Sequence, residues 1–450
     1  MEIEGGRVID ARSSGIYFRG LELILRNRDP RDAPYLTQRI CGICSSAHAL
    51  ASARALDQAF GLDIPPNAVL LRNLIFGADL LQNHIRHFYV LGLPDFARGP
   101  DQPPWTPRYE KGYRFTRQQT RRLTDHYLEA LEASRLAHEM VVVFGGKVPH
   151  QHGIVAGGAT VPPGADNIRL FGTMLERVAS FIENRLLPDT ELLADTYRDY
   201  YQIGRGHGHQ FSYGGLPDPG RGGQLTDLPG VVINGEIRPL DQGKIVEHLR
   251  FSWYQENVPR HPAQGETVPD PGKGGAYSWV KAPRYEGLAL ETGPLARLWL
   301  AGEYRRGVSA MDRIVARALE ARRMAHFMKD WLDQLNPNTP VFQPFNLPGR
   351  AEGFSLSIAM RGGLGHWVKI ENGRIAAYQI ITPSAWNQSP RDDKGQRGPV
   401  EEALVGTPIE DPESPIEVGR VARSFDPCLA CATHVILPGG HRFVLEGGCP

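Results

Sequence analysis

Cysteine is scarce in this chain. Five among 450 residues cannot build a disulfide framework. Excess charge of either sign is absent too, because 50 Lys and Arg are balanced by 50 Asp and Glu. That balance argues against a nucleic-acid-binding surface, which needs a basic excess, and against an acidic solvating tail. Long apolar runs are missing: no window approaches the roughly 18 apolar residues of a membrane span, and Met1 to Gly20 has no continuous apolar core of the kind a secretory leader carries. The chain is therefore expected to be soluble. Its compartment stays open, because a partner that owns an export signal can carry a subunit across a membrane. What is present is an ordinary globular composition, 41% apolar and 22% charged, with 50 Gly and 36 Pro that predict many turns. The length favours about two to four average domains, yet no repeat, low-complexity tract or linker marks a boundary.

Apolar residues recur at helical spacing in four long stretches. The first covers residues 67–92. The second runs over 116–144 and stops at Gly145-Gly146. The third covers 165–187, with Pro188 expected to end it. The fourth begins at Ser309, a cap with Asp312 three residues on, and extends to Leu335. Helices of roughly 20 to 30 residues predict a mainly α chain, a long-helix bundle with small peripheral β-hairpins and sheets. Two hairpins are signalled by Asn-Gly between apolar runs. Asn234-Gly235 lies between 231–233 and 236–238, and Asn372-Gly373 between 366–370 and 374–381. Apart from the first hairpin, residues 216–275 read as loops broken by Pro and Gly.

The few cysteines are not scattered. Four form two Cys-x-x-Cys pairs, Cys41/Cys44 and Cys428/Cys431, and the fifth, Cys449, is next to the last residue. Arg39 and His48 bracket the first pair; Asp426 and His434 bracket the second. Four soft thiolates suit zinc, an iron–sulfur cluster, or a nickel- or iron-type redox centre. A zinc ribbon keeps its two knuckles within about 15 to 20 residues, whereas 383 residues lie between Cys44 and Cys428. Spacing alone leaves structural zinc, unconnected pairs and a catalytic metal all open. The polar residues beside the cysteines favour a working metal, because such groups tune thiolate ligands.

At these residues the chain resembles the large subunit of nickel–iron hydrogenases. The family's signatures, Arg-x-Cys-Gly-x-Cys-x-x-x-His and Asp-Pro-Cys-x-x-Cys-x-x-His, are matched at every fixed position by Arg39 to His48 and by Asp426 to His434. Further stretches are similar along nearly the whole chain: Phe18-Arg-Gly-Leu-Glu22, Phe144 to His150, Tyr277 to Tyr285, Gly293 to Arg297, Arg361-Gly-Gly-Leu-Gly-His-Trp367 and Pro383-Ser-Ala-Trp-Asn387.

The resemblance implies one large-subunit domain over residues 1–450. Cys41 and Cys428 would be terminal ligands of nickel. Cys44 and Cys431 would bridge it to an iron that carries carbon monoxide and cyanide. His48 would hydrogen-bond a bridging sulfur, Ser384 would donate to a cyanide, and Arg361 would stand over the open metal position with Asp426 and Asp95. Glu22, the Ile380 carbonyl and His434 would hold a magnesium ion. His207-Gly-His209, His138, His150 and His152 receive no metal role. Residues 435–450 would form a hairpin tail that a maturation protease removes once nickel-insertion factors have acted. The activity implied is oxidation of dihydrogen to protons and electrons, run as uptake. A hydrogen sensor is the alternative, disfavoured by the tail. Only Cys449 is left over, so electrons must leave through a separate iron–sulfur small subunit. The family's Arg-x-Glu-Gly-His stretch has no counterpart ahead of Met1-Glu-Ile-Glu-Gly-Gly, so the expectation is an upstream in-frame extension or an altered proton relay.

Overall fold

The computed structural model describes residues 1–106, 108–255 and 258–428, and the backbone of Thr433–Ile436 and Arg442–Leu445. Its centre is a set of packed helices. Ser45–Phe60 (α1) starts directly after Cys44 and ends at Gly61 in the left-handed region, φ 63°. Pro66–Arg86 (α2) is buried on nearly every face, polar residues such as Asn73, Asp79 and Gln82 included, and it continues into a π turn at His87–Gly92. Arg117–Gly145 (α3) opens on a capping box in which Thr116 accepts from Gln119 N–H and Gln119 accepts from Thr116 N–H. It closes on Gly146, φ 78°, so both ends fall where the sequence places them. Leucines and isoleucines of α2 such as Leu71, Leu74, Ile75 and Leu81 are fully buried, each worth about 1.5–3 kcal/mol of apolar burial.

Pro188 does not end the third helix. Ala165–Phe181 (α4) widens into a π turn at Ile182–Leu186, and Leu187–Thr196 (α5) carries on with Pro188 in its first turn. The wider turn, closed by Leu187 N–H to Ile182 O, gives the ring room. The Asn184 carbonyl, which a residue with an N–H at 188 would have served, accepts instead from the Arg185 guanidinium at 3.2 Å. Ala310–Asp333 (α6) begins with the Ser309/Asp312 capping box and packs on α2, α4 and α5. Ile416–Ser424 (α7) packs on α6 and delivers the chain to Cys428.

Small sheets surround the helices. Gly230–Ile233 (β1) and Glu236–Arg238 (β2) form the expected hairpin, with Asn234 and Gly235 at φ 53° and 82°. The second hairpin, Gly362–Glu371 (β4) with Arg374–Ile381 (β5), has a further partner that was not expected, Arg350–Ala359 (β3). β3 and β4 pack on α1. β3 and β4 pair up to Ala359↔Gly362, so Met360 and Arg361 form a two-residue turn at the end of the ladder. Gly362 has φ +139°, and a Cβ there would meet Thr292 Cγ2 at 2.5 Å, which is why Arg361 is followed by glycine. At the C-terminus Thr433–Ile436 (β6) and Arg442–Leu445 (β7) pair antiparallel, with His434 opposite Val444; residues 437–441 lie outside the described residues.

Candidate metal centre

The loop between the first two cysteines is held from three sides. Arg19 donates to the carbonyls of Arg39, at 2.8 Å, and of Ile40. Gln82 and Asn83 of α2 both donate to the Ile43 carbonyl, at 3.0 and 2.7 Å. Asp79, one turn earlier, accepts Ser46 N–H at 3.0 Å, so a carboxylate caps the positive end of α1 immediately after Cys44. Burial pushes the Asp79 carboxyl up to about 6, against the hydrogen bonds from Gln82 and Ser46.

The other cysteine arrives from the far end of the chain. After α7 the backbone turns at Asp426, a non-glycine residue at φ 53°, and Cys428 N–H donates to Ser384 Oγ at 3.0 Å. The sulfurs of Cys41, Cys44 and Cys428 then lie within 4.8 Å of one another. Cys41 and Cys44 are buried as part of the main apolar core. Hydrogen bonds from the Cys428 and Cys44 thiols, with the Arg361 charge, hold the Cys41 thiol well below the usual range. The same contact with Cys41 pushes Cys44 up and Cys428 up to about 12. One negative charge shared by three converging sulfurs is a donor set made for a metal cation, and it fits a soft one. Cys431 lies outside the described residues, and of His434 only the backbone is described.

Arg361 covers this cradle. It donates through Nε to the Asp426 carbonyl at 2.8 Å and through a terminal nitrogen to Asn83 Oδ1 at 3.2 Å, and it pairs with the Asp426 carboxylate at 3.1 Å. Burial opposes ionisation of Asp426, yet the Arg361 charge, with that of Arg317, holds its carboxyl below the usual range. Arg317 of α6 stands 4.0 Å from the same carboxylate. Neither Asp426 oxygen has a hydrogen-bond partner of good geometry among the described residues.

Asp95 does not join Arg361 and Asp426 as expected. Its carboxylate is taken by Arg423 in a two-pronged contact, both distances 2.5 Å, because the planar guanidinium on α7 matches both oxygens. His48 bonds through Nδ1 to His366 Nε2 at 3.2 Å, not to a described sulfur. Glu22 accepts from Thr267 and, at 2.9 Å, from Ile380 N–H rather than meeting the Ile380 carbonyl. Its nearest cation is the Lys281 ammonium at 3.9 Å. A residue's N–H and C=O leave the same edge of an antiparallel strand, so the Ile380 carbonyl does face that side. His207 bonds the Arg397 carbonyl at 2.9 Å, which is loop packing. Sequence reasoning missed Asp79, Gln82, Asn83 and Arg317. The signal was available: Asp79, Gln82 and Asn83 are spaced three and four residues apart, which puts them on one face of α2.

The profile of the family "Nickel-dependent hydrogenase" matches residues 19–101, 95–308 and 302–434. The periplasmic [NiFeSe] hydrogenase large subunit of Desulfomicrobium baculatum is 40% identical, over 97% of this chain and 92% of its own. The uptake hydrogenase large subunit of Rhodobacter capsulatus is 32% identical over the same shares. Among solved structures, the Ni-Fe-Se hydrogenase of D. vulgaris Hildenborough in the reduced state superposes with a TM-score of 0.92 at 42% identity, covering 95% of both chains. The chain belongs to the nickel-dependent hydrogenase family.

Proposed function

We propose that this chain is the catalytic large subunit of a nickel–iron hydrogenase, oxidising dihydrogen to two protons and two electrons, with the metals held by Cys41, Cys44, Cys428 and Cys431. The observation that carries the reading is the convergence of three sulfurs within 4.8 Å from opposite ends of the chain. The names of several relatives include selenium; this chain has cysteine at all four signature positions, so its donor set is four sulfurs. When bound, the bimetallic centre supplies the site at which dihydrogen is polarised and its electrons are taken up. The protein's part is electrostatic. Arg361 places a fixed positive charge over the sulfurs, and Asp426 offers carboxylate oxygens with free lone pairs as a proton acceptor beside them. Ser384, already an acceptor for Cys428 N–H, keeps its own hydrogen for a cyanide on iron. Asp95 supports this group through Arg423, whose carbonyl accepts from His87 and Asp426 N–H.

The same reading assigns magnesium to Glu22, the Ile380 carbonyl and His434, a hard cation on oxygen-rich ligands. It takes residues 1–450 as one unit whose 435–450 segment is cut away during maturation, with nickel-insertion factors and a protease as transient partners. Electrons pass to an iron–sulfur small subunit, and uptake is the working direction. No described helix is long and apolar enough to cross a membrane, which accords with export together with that subunit, as a periplasmic relative suggests. Co-expression with the small subunit, metal analysis and a hydrogen-dependent dye-reduction assay test the reading. Nickel and iron with dye reduction are expected, and zinc on the thiolates without nickel overturns it. Intact mass of the active chain is expected to end at His434; a chain that still carries 435–450 refutes the processing step.

A further inference from the structure

Two polar side chains set against the Cys428 segment come from different parts of the chain. Arg361, on the turn between β3 and β4, donates to the Asp426 carbonyl at 2.8 Å, and Ser384, on the short helix Pro383–Asn387, accepts Cys428 N–H at 3.0 Å. Behind them lies a connection that the metal reading leaves without a task. Asn387, one turn after Ser384, grips the backbone of Thr292 with both ends of its carboxamide: Oδ1 accepts Thr292 N–H at 2.9 Å, and Nδ2 donates to the Thr292 carbonyl at 2.8 Å. The Thr292 hydroxyl accepts Gly363 N–H, two residues past Arg361, at 2.9 Å and donates to the Phe211 carbonyl at 3.0 Å.

These contacts close a ring. From Asp426 it passes through Arg361 and the backbone to Gly363, through Thr292 and Asn387 to Ser384, and returns to the chain at Cys428, two residues from its start. Arg361, Thr292, Ser384 and Asn387 are at most 6% exposed, so bulk water does not compete for the bonds. Hydrogen accounting fixes their directions: one N–H and one carbonyl of Thr292 face one oxygen and one NH2 of Asn387, and only one orientation of the carboxamide satisfies both. Thr292 is itself anchored, because the strand Glu291–Thr292 runs parallel to residues 210 and 211. Sterics tighten the same joint. A Cβ at 362 would meet Thr292 Cγ2 at 2.5 Å, and one at 293 would lie 3.5 Å from the Arg361 carbonyl, so the backbone of the Arg361 turn rests directly on residues 292 and 293.

We propose that Asn387 and Thr292 are positioning residues that lock the Ser384 helix to the Arg361 turn, so that Ser384 and Arg361 hold the segment from Asp426 to Cys428 between them at a fixed spacing. The consequence at the metals rests on the reading of the cysteines as their ligands, whereas the coupling around the ring belongs to the protein alone. Partners that orient a ligand tune the metal it holds. Loosening the far side of the ring therefore reaches Cys428 without touching it.

Amide hydrogen exchange and infrared spectroscopy on the holoenzyme, with its small subunit, test the coupling. Thr292→Val keeps the side-chain shape and removes the hydroxyl. Faster exchange is expected at Cys428 N–H, across the ring, as well as at Gly363 N–H beside the change; faster exchange at Gly363 alone overturns the proposal, because it shows local packing and nothing more. In the same variant the infrared bands of carbon monoxide and cyanide on iron are expected to shift, and hydrogen turnover to fall about tenfold with nickel content unchanged. Thr292→Ser, which keeps the hydroxyl, should return both exchange and bands to the parent pattern. Asn387→Asp turns an acceptor toward the Thr292 carbonyl and should reproduce the Thr292→Val changes; parent-like exchange and bands in it would refute the coupling. A parent enzyme with no nickel and no such bands sinks the metal reading instead, and exchange at Cys428 N–H still decides the ring.

Discussion

Asp426 is a non-glycine residue in the left-handed region, fully enclosed, with its carboxylate set between Arg361 and Arg317. Such conformations persist where surrounding contacts over-determine them, and here the conformation aims the Asp426 carbonyl at Arg361 and brings the Cys428 N–H to Ser384 Oγ. Asp426 was legible from its place in the second cysteine signature; Asn83 was not, because an asparagine inside an apolar helix advertises no partner. Yet Asn83 joins the Ile43 carbonyl to Arg361. Asn83→Leu removes one of the two donors to the Ile43 carbonyl and the acceptor of a buried Arg361 N–H; it is expected to lower stability by about 1–3 kcal/mol and to reduce nickel per chain, read by urea unfolding and metal analysis. His87 gives a pH test. Burial pushes its imidazole down to about 3, with Arg317 adding to the shift. The unfolded chain binds this proton near pH 6.5 and the folded one does not, so stability present above about 6.5 is lost as pH falls toward about 3. His87→Gln keeps a neutral donor for the Arg423 carbonyl. It should remove about one proton from the acid-unfolding slope, measured as melting temperature against pH; an unchanged slope would refute the buried neutral imidazole.

Among the elements, the helices were readable because a 3.6-residue period is a local property that survives whatever packs around it. α3 and α6 even announced their caps. The third helix was misread at Pro188, since a proline in the first turn after a π turn loses no hydrogen bond that the chain needed. β3 was missed although Phe354, Leu356 and Ile358 alternate; the Gly353 before them weakens a strand signal. That glycine has a tertiary cause. A Cβ at 353 would sit 2.4 Å from the Ala55 carbonyl and 2.7 Å from Ala59, so the sheet approaches α1 only because the position is bare. Gly353→Val is expected to force helix and sheet apart and to lower stability by about 1–3 kcal/mol, read in thermal unfolding. An unchanged melting temperature would mean that the sheet slides freely on α1.

At the scale of the molecule, the problem is to bring together cysteine pairs 383 residues apart. α7 solves half of it. Arg420, buried on that helix, donates to the Asp95 and Gly112 carbonyls and to the Tyr200 hydroxyl at 2.7–3.0 Å, and its guanidinium faces the Phe96 ring at 4.7 Å. Arg423 adds the pair with Asp95. Arg420→Met should leave several buried acceptors unserved and cost about 3 kcal/mol or more. Because Cys428 follows α7 directly, nickel content should fall while Cys41 and Cys44 stay in place, read by metal analysis and chemical denaturation. Retained nickel at parental stability would sink this account of the docking. The sequence by itself determined the donor chemistry, the order of the two signatures and the long helices, because thiolate spacing and helical period are written in neighbouring residues. Only the tertiary structure decided that Asp95 answers to Arg423, that Asn83 ties the ligand loop to Arg361 and that His48 faces His366. Those partners lie tens to hundreds of residues apart, and which side chains meet is set by how helices and sheet pack, not by any local pattern.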